Sequence, residues 1–261
     1  ALSIARQVQE KTLEWQCLLD LGFLWAGRDY AQSGQWFRLA LDLARQSSDM
    51  RLHAHSLNRM GNWLVNTGQA EQGIQFHREA LTMFEQLQDT RGRAETLDLL
   101  GMATGIYGDT LSAVENHWQA IQLIRELKDN QQLVLCLASW IAYSGPSMVE
   151  TTYSVYESLE NCERAATEAL QLARQIDTLP GQAYIEWITG AILASYGELG
   201  TGLRHGQECL RIATEINHAQ WIAGAYFTLG RIYLLLLEPA LAMETLSKGL
   251  TLSAEIGSAW W

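Results

Sequence analysis

Four cysteines and six histidines are the side chains of this chain best suited to chemistry. Their spacing offers little to a reaction. Cys17, Cys136, Cys162 and Cys209 contain no CxxC pair, so neither a zinc nor a disulfide role is expected and all four read as reduced packing residues. His53 and His55 lie two apart and point to different faces of a helix. His77 and His117 share one repeat position, four residues after a small side chain, where an aromatic ring fills the gap between helices. Acidic residues such as Glu71, Glu79, Glu85, Glu95 and Asp98 read as a solvated face, not as a paired acid and base. There is no GxxxxGK[ST], HExxH, GxSxG or EF-hand loop. No enzyme and no cofactor is expected, and the informative feature becomes the set of elements that carries these residues.

Those elements repeat. The stretch from Leu57 to Asp89 spaces Leu57, Met60, Gly61 and Leu64 three and four apart, an apolar stripe on one helical face. Asn66-Thr67-Gly68 then ends the helix, and a second amphipathic run through Ile74, His77, Ala80, Leu81, Phe84 and Leu87 follows within a few residues. Two helices joined so tightly must lie antiparallel. Ala80-Leu81 reappears as Ala40-Leu41, Ala120-Ile121, Ala169-Leu170, Cys209-Leu210 and Gly249-Leu250, in steps of 40, 40, 49, 40 and 40 residues. Gly61 has counterparts in Gly22, Gly101, Gly190 and Gly230, and Gly73 in Ser33, Ala113, Cys162, Gly202 and Ala242. Small side chains at fixed sites on both helices let the backbones approach closely.

Gly61, Gly73 and Ala80 resemble the tetratricopeptide repeat, in which a small residue early in the first helix is followed by a second small residue and an Ala. The resemblance covers nearly the whole chain. Its 40-residue period exceeds the family's usual length of about 34 residues, the extra ones falling between units as in Gln88 to Arg93. Long-period arrays of this kind resemble the sensor regions of bacterial regulators similar to the maltose-regulon activator. They also resemble the scaffold repeats of cell-polarity and motor-cargo adaptors. The resemblance implies an all-α, right-handed α-solenoid of antiparallel hairpins, here six hairpins with a leading half-repeat. It implies a non-catalytic scaffold that binds a protein or peptide on its concave surface. The alternative is an effector-sensing segment of a nucleotide-dependent STAND-type transcriptional or signalling regulator, with a small-molecule effector.

In the family the concave surface is built from fixed places on the first helices. Mapped by the Gly61 register, these are His55, Asn58, Asn62 and Asn66 in the second unit and Glu95, Asp98, Met102 and Ile106 in the third. The fifth unit supplies Tyr184, Trp187, Ala191 and Ser195, and the sixth Gly224, Phe227, Arg231 and Leu235. The groove therefore reads as polar and acidic early and aromatic late. A ligand is expected across the fourth to sixth units, with Tyr184, Trp187, Phe227 and Arg231 as its anchors. Asn58 and Asn62 offer amide donors and acceptors, and Glu95 with Asp98 favour a ligand whose other end is cationic. No Lys falls on a mapped position, so a carboxylate clamp of the chaperone-tail type is not expected; Arg59 and Arg231 are read as lone cations.

Composition agrees. The 261 residues are 48% hydrophobic with only 3 Pro and carry a net charge of -11, which argues against a nucleic-acid partner through this segment. No apolar run is long enough to cross a membrane and no signal peptide opens the chain, so a cytoplasmic protein is expected. Ala1 to Gln7 matches Ala40 to Gln46, and Ala259-Trp260-Trp261 matches the opening of a first helix. The expectation is one solenoid domain over 1–261, cut from a longer protein, with Trp260 and Trp261 offering an end-to-end contact. Helices are expected at about 11–27, 31–47, 50–66, 70–87, 90–107, 110–127, 130–144, 153–176, 181–196, 200–216, 219–236 and 239–256. The 49-residue step places an insertion at about 145–160. In the fifth unit Glu186 and Thr189 occupy the places of Leu57 and Met60, so either this helix is rotated, the preferred reading, or Glu186 has a polar partner.

Overall fold

Eight of the described helices start where a polar side chain caps the first turn. The carboxylates of Asp29, Asp49, Asp89, Asp109 and Asp129 accept backbone N–H groups of the turn that follows, and Ser158, Thr178 and His218 do the same later in the chain. The computed structural model describes residues 1–145 and 157–259, within which the helices are α1 (Leu2–Gln7), α2 (Lys11–Trp25), α3 (Tyr30–Arg45), α4 (Met50–Asn66), α5 (Ala70–Gln86), α6 (Thr90–Tyr107), α7 (Thr110–Leu127), α8 (Asn130–Ser144), α9 (Leu159–Gln175), α10 (Leu179–Ser195), α11 (Leu199–Glu215), α12 (Ala219–Leu235) and α13 (Pro239–Ile256). They pair in sequence into six hairpins behind the leading α1. Among the described residues no helix is long and apolar enough to cross a membrane, and all four cysteines are free thiols.

The hairpins close on the small residues. A Cβ added to Gly61 would lie 3.0 Å from Gly73 O and 2.8 Å from His77 Cε1, so only hydrogen fits where the two helices cross. Ala40, Ala80, Ala120 and Ala169 are each 0% exposed, as is Cys209 at the same place in the fifth hairpin. Larger apolar side chains such as Leu57, Phe84, Ile124 and Ile188 fill the space between successive hairpins, and the core runs along the stack without a single centre.

Two expectations change. The second helix of the fourth unit begins at Leu159, not near 153, because Ser158 Oγ accepts from Asn161 N–H and caps it there. The rest of the insertion, 146–156, lies outside the described residues, as do Trp260 and Trp261; at the edges of the insertion Glu157 N–H donates to Ser144 O at 3.2 Å. The fifth unit's first helix, α10, is not rotated. A Cβ on Gly190 would lie 3.0 Å from Gly202 O, the same close approach that Gly61 makes to Gly73, so the register is kept. Glu186 is consequently buried, at 4% exposure, and is satisfied by His205 Nδ1 at 2.5 Å, with Arg174 Nη2 at 3.9 Å from its other oxygen. Keeping the glycine crossing outweighs turning one carboxylate outward, since rotation would separate every contact along the helix.

The stack curves far enough for its late part to meet its beginning. Ala259 N–H donates to Asn66 O at 3.0 Å, and the turn glycine Gly27, with φ +76°, faces His218 and Gln220 at the start of α12. The inner face thereby surrounds a central cavity that stays partly open to solvent.

Candidate functional site

The cavity measures about 230 Å³ and is lined from six layers of the stack. One wall is polar. Tyr30 Oη donates to Asn66 Oδ1 at 3.2 Å, and Asn66 Nδ2 donates to Asn62 O at 2.8 Å and to Asn62 Oδ1 at 3.3 Å, so the Asn62 side chain is held at the cavity surface. Asp98 on α6 and Ser139 on α8 continue this wall. The opposite wall is aromatic. Trp221 of α12 stacks on Tyr184 of α10 with centroids 4.6 Å apart, His218 stacks on the far side of Trp221 at 5.0 Å, and Trp187 lies 5.5 Å behind Tyr184. Tyr184 Oη reaches Ser139 Oγ at 3.0 Å and ties the aromatic wall to the polar one. Burial drives the Tyr184 phenol upward from its usual range, so it stays protonated.

The groove residues read from the sequence divide into three groups. Asn62, Asn66, Asp98, Met102 and Tyr184 meet at this one cavity, although the mapping assigned them to separate early and late grooves. Asn58, Trp187 and Glu95 are consumed by the fold. Asn58 is 0% exposed, bonded to His77 and Thr96; Trp187 is 3% exposed behind Tyr184; Glu95 pairs with Arg59 and lies 3.5 Å from His55. Phe227 and Arg231 lie outside the cavity lining, on the middle of α12, with the guanidinium 5.5 Å above the ring. The curvature brings the beginning of α12 to the cavity instead. Neither arginine is a lone cation, since Arg59 pairs with Glu95 and also covers the Phe23 ring at 4.8 Å. Desolvation holds the Arg59 guanidinium down to about 10.

Sequence reasoning missed Gln220, Trp221, Trp63 and Tyr30, all on the lining. Trp63 and Trp221 stand outside the four family groove places. Only the turn composition around Gly27 and His218 carried a signal, and nothing local relates those two turns.

With Glu95 matched by Arg59 and Asp98 bonded to His117 Nδ1 at 3.0 Å, both carboxylates of the early groove already have partners. The support for a cationic ligand end is gone. The cavity retains amide groups on one side and stacked ring faces on the other, a surface that grips an apolar or aromatic group and fixes its direction by hydrogen bonds. The Cys136 thiol beside Asp98 is not activated as a nucleophile. It is buried, lies 3.7 Å from the His117 carbonyl, and is pushed up well beyond its ordinary range by desolvation and then by Asp98.

No family model matches the chain, and no curated protein does. Solved structures do share its fold. A Rap protein complexed with competence and sporulation factor matches with TM-score 0.69 and 12% identity over 98% of this chain and 74% of that one. The apo quorum sensor NprR from B. thuringiensis matches with TM-score 0.57 and 12% identity over 97% and 70% of the two chains. A signal transduction ATPase with numerous domains from Pyrococcus horikoshii, which has a tetratricopeptide repeat sensor, matches with TM-score 0.61 and 17% identity over 87% of this chain and 32% of that one. The fold is that of the tetratricopeptide repeat proteins, an all-α solenoid of paired helices.

Proposed function

We propose that this chain is a non-catalytic binding scaffold that takes an apolar or aromatic side chain of a protein or peptide partner into its central cavity. The observation that carries the reading is the meeting of Asn62 and Ser139 with Tyr184 and Trp221 around one space of about 230 Å³, the scale of one large side chain and its hydrogen-bonding neighbours. The Rap structure supports it by analogy of fold, since that protein is seen complexed with a factor. Asn62→Phe fills the cavity from a half-buried position without touching the helix crossings. A peptide selected from a displayed library on the parent chain should bind this variant at least about tenfold more weakly, a loss of about 1.4 kcal/mol, with circular dichroism unchanged. Equal affinity for parent and variant would rule the cavity out.

One observation favours a sensing role for the same site. The cavity is lined by both α3 and α12, and the Ala259 to Asn66 bond closes the stack beside it, so an occupant touches both ends of the curve. A ligand that prefers the closed form shifts the curvature by its differential affinity, and curvature is what a neighbouring domain would read. The Pyrococcus horikoshii protein, whose repeats are described as a sensor, is the relevant analogy. Small-angle scattering of the parent with and without the selected peptide tests this; an unchanged radius of gyration at saturation argues for a scaffold only.

A further inference from the structure

One place in the stack is built twice, with different chemistry. On α4, α5 and α6, Asn58, His77 and Thr96 form a neutral relay. His77 Nδ1 donates to Asn58 Oδ1 at 3.1 Å, Asn58 Nδ2 to Thr96 Oγ1 at 2.8 Å, and Thr96 Oγ1 to Gly92 O at 2.7 Å. Forty residues on, each member has a counterpart: Asp98 on α6, His117 on α7 and Cys136 on α8. The setting is the same, with the imidazole seated over Gly101 as His77 is over Gly61. Every change is toward a ligating atom. The amide has become a carboxylate and the hydroxyl a thiol.

The relay cannot be carried over. Asp98 has no N–H to give, so the direction reverses: the buried Cys136 thiol turns toward the carboxylate as a donor, where Asn58 donated to a hydroxyl. Among the described residues no Lys or Arg pairs with Asp98, whose side chain is 14% exposed, while His117 and Cys136 are each 0% exposed. One oxygen, one nitrogen and one sulfur, from the three residues, all lie within 4.8 Å of one another. We infer that Asp98, His117 and Cys136 hold a divalent thiophilic metal ion of the zinc class. The donor set is one that zinc takes, and a carboxylate with a thiolate neutralises its charge in a buried place. Tetrahedral zinc needs ligand atoms roughly 3.3–3.7 Å apart, within reach of small side-chain rotations from the present spacing.

Binding releases one proton, from the Cys136 thiol to solvent, and moves the remaining imidazole proton of His117 from Nδ1 to Nε2. Nothing is oxidised or reduced. Three protein ligands leave a fourth position, and Asp98, the ligand that lines the central cavity, places it on that side.

The test uses the 261-residue chain, reduced and free of oxygen, titrated with cobalt(II) and then with zinc. One cobalt should bind per chain, with intense tetrahedral visible bands and a thiolate-to-cobalt charge-transfer band, both removed by one equivalent of zinc. Asp98→Asn with Cys136→Thr rebuilds the relay that already packs one layer below, so it should fold, lose both bands, and bind zinc more than about 100-fold more weakly. Cys17→Ser should keep them. Zinc should raise the Tm of the parent and not of the double variant. A cobalt spectrum without the charge-transfer band, a zinc-dependent Tm rise that survives in the double variant, or no rise in the parent would each overturn the assignment. Should the double variant fail to fold, Cys136→Ser is read by the same titration. Asn62→Phe blocks the cavity without removing a ligand, so this result and the peptide result fail independently.

Discussion

Glu186 and His205 are bonded across the fifth hairpin at 2.5 Å, each one residue away from the places that Asn58 and His77 use in the second. The same inter-helix contact is made by a neighbouring pair of positions, with the glycine crossing unmoved. A carboxylate therefore sits where the repeat pattern puts Leu57.

That arrangement makes a prediction of opposite signs. His205→Ala leaves the buried Glu186 without its closest partner and should cost about 1–3 kcal/mol in urea unfolding at neutral pH. Glu186→Leu restores the pattern of the second unit and should be neutral or stabilising, because replacing the buried carboxylate by a packed apolar group removes its desolvation penalty. Destabilisation by Glu186→Leu as large as by His205→Ala would show that the pair is worth more than its burial costs.

Ala120 tests the register of the whole array. It is 0% exposed between α7 and its neighbours, and Ala120→Leu should lower stability by about 1–3 kcal/mol through overpacking. An unchanged thermal melt would contradict the alignment of the repeats.

Gly61 tests the crossing itself. Its added Cβ would meet both a ring and a backbone oxygen that cannot retreat, so Gly61→Ala should cost about 1–3 kcal/mol although Ala is the better helix former. Gly200, whose Cβ would meet nothing within 4 Å, is the control, and Gly200→Ala should stabilise by about 0.5–1 kcal/mol. Equal effects at the two sites would remove the close approach as the cause.

Acidification should weaken the fold through its desolvated histidines. Desolvation, with Arg59 second, holds His77 down to about 3, and desolvation holds His55 and His218 down to about 4. The unfolded chain binds protons on these rings from about pH 6.5 downward while the folded chain does not, so their stability contribution is complete above that pH and falls as pH drops toward 4 and then 3. Each ring in its window costs about 1.4 kcal/mol per pH unit. His77→Phe copies Phe37, which occupies the same place in the first hairpin, and between pH 6.5 and 5 it should lose about 2 kcal/mol less than the parent. Parallel losses in parent and variant would mean that His77 is not buried neutral.

Helix positions, hairpin pairing and the buried Ala series were legible in the sequence because each depends only on neighbours. Gly61 and Gly73, or Gly190 and Gly202, lie twelve residues apart, and their contact is set by hairpin geometry that every unit repeats. The Asp caps and the turn after Gly68 are local in the same way. Other features were decided only in three dimensions. The cavity exists because small rotations between units, including the 49-residue step, add up until the start of α12 reaches the α2–α3 turn; no single residue encodes that sum. Asn62 and Trp221 share a wall for this reason, and Phe227, one helical face away, does not. Asp98, His117 and Cys136 stand nineteen residues apart on three successive helices, a spacing that resembles no ligand motif until the helices are stacked. Contacts between adjacent units repeat with the sequence, whereas contacts around the curve depend on the geometry of all the units together.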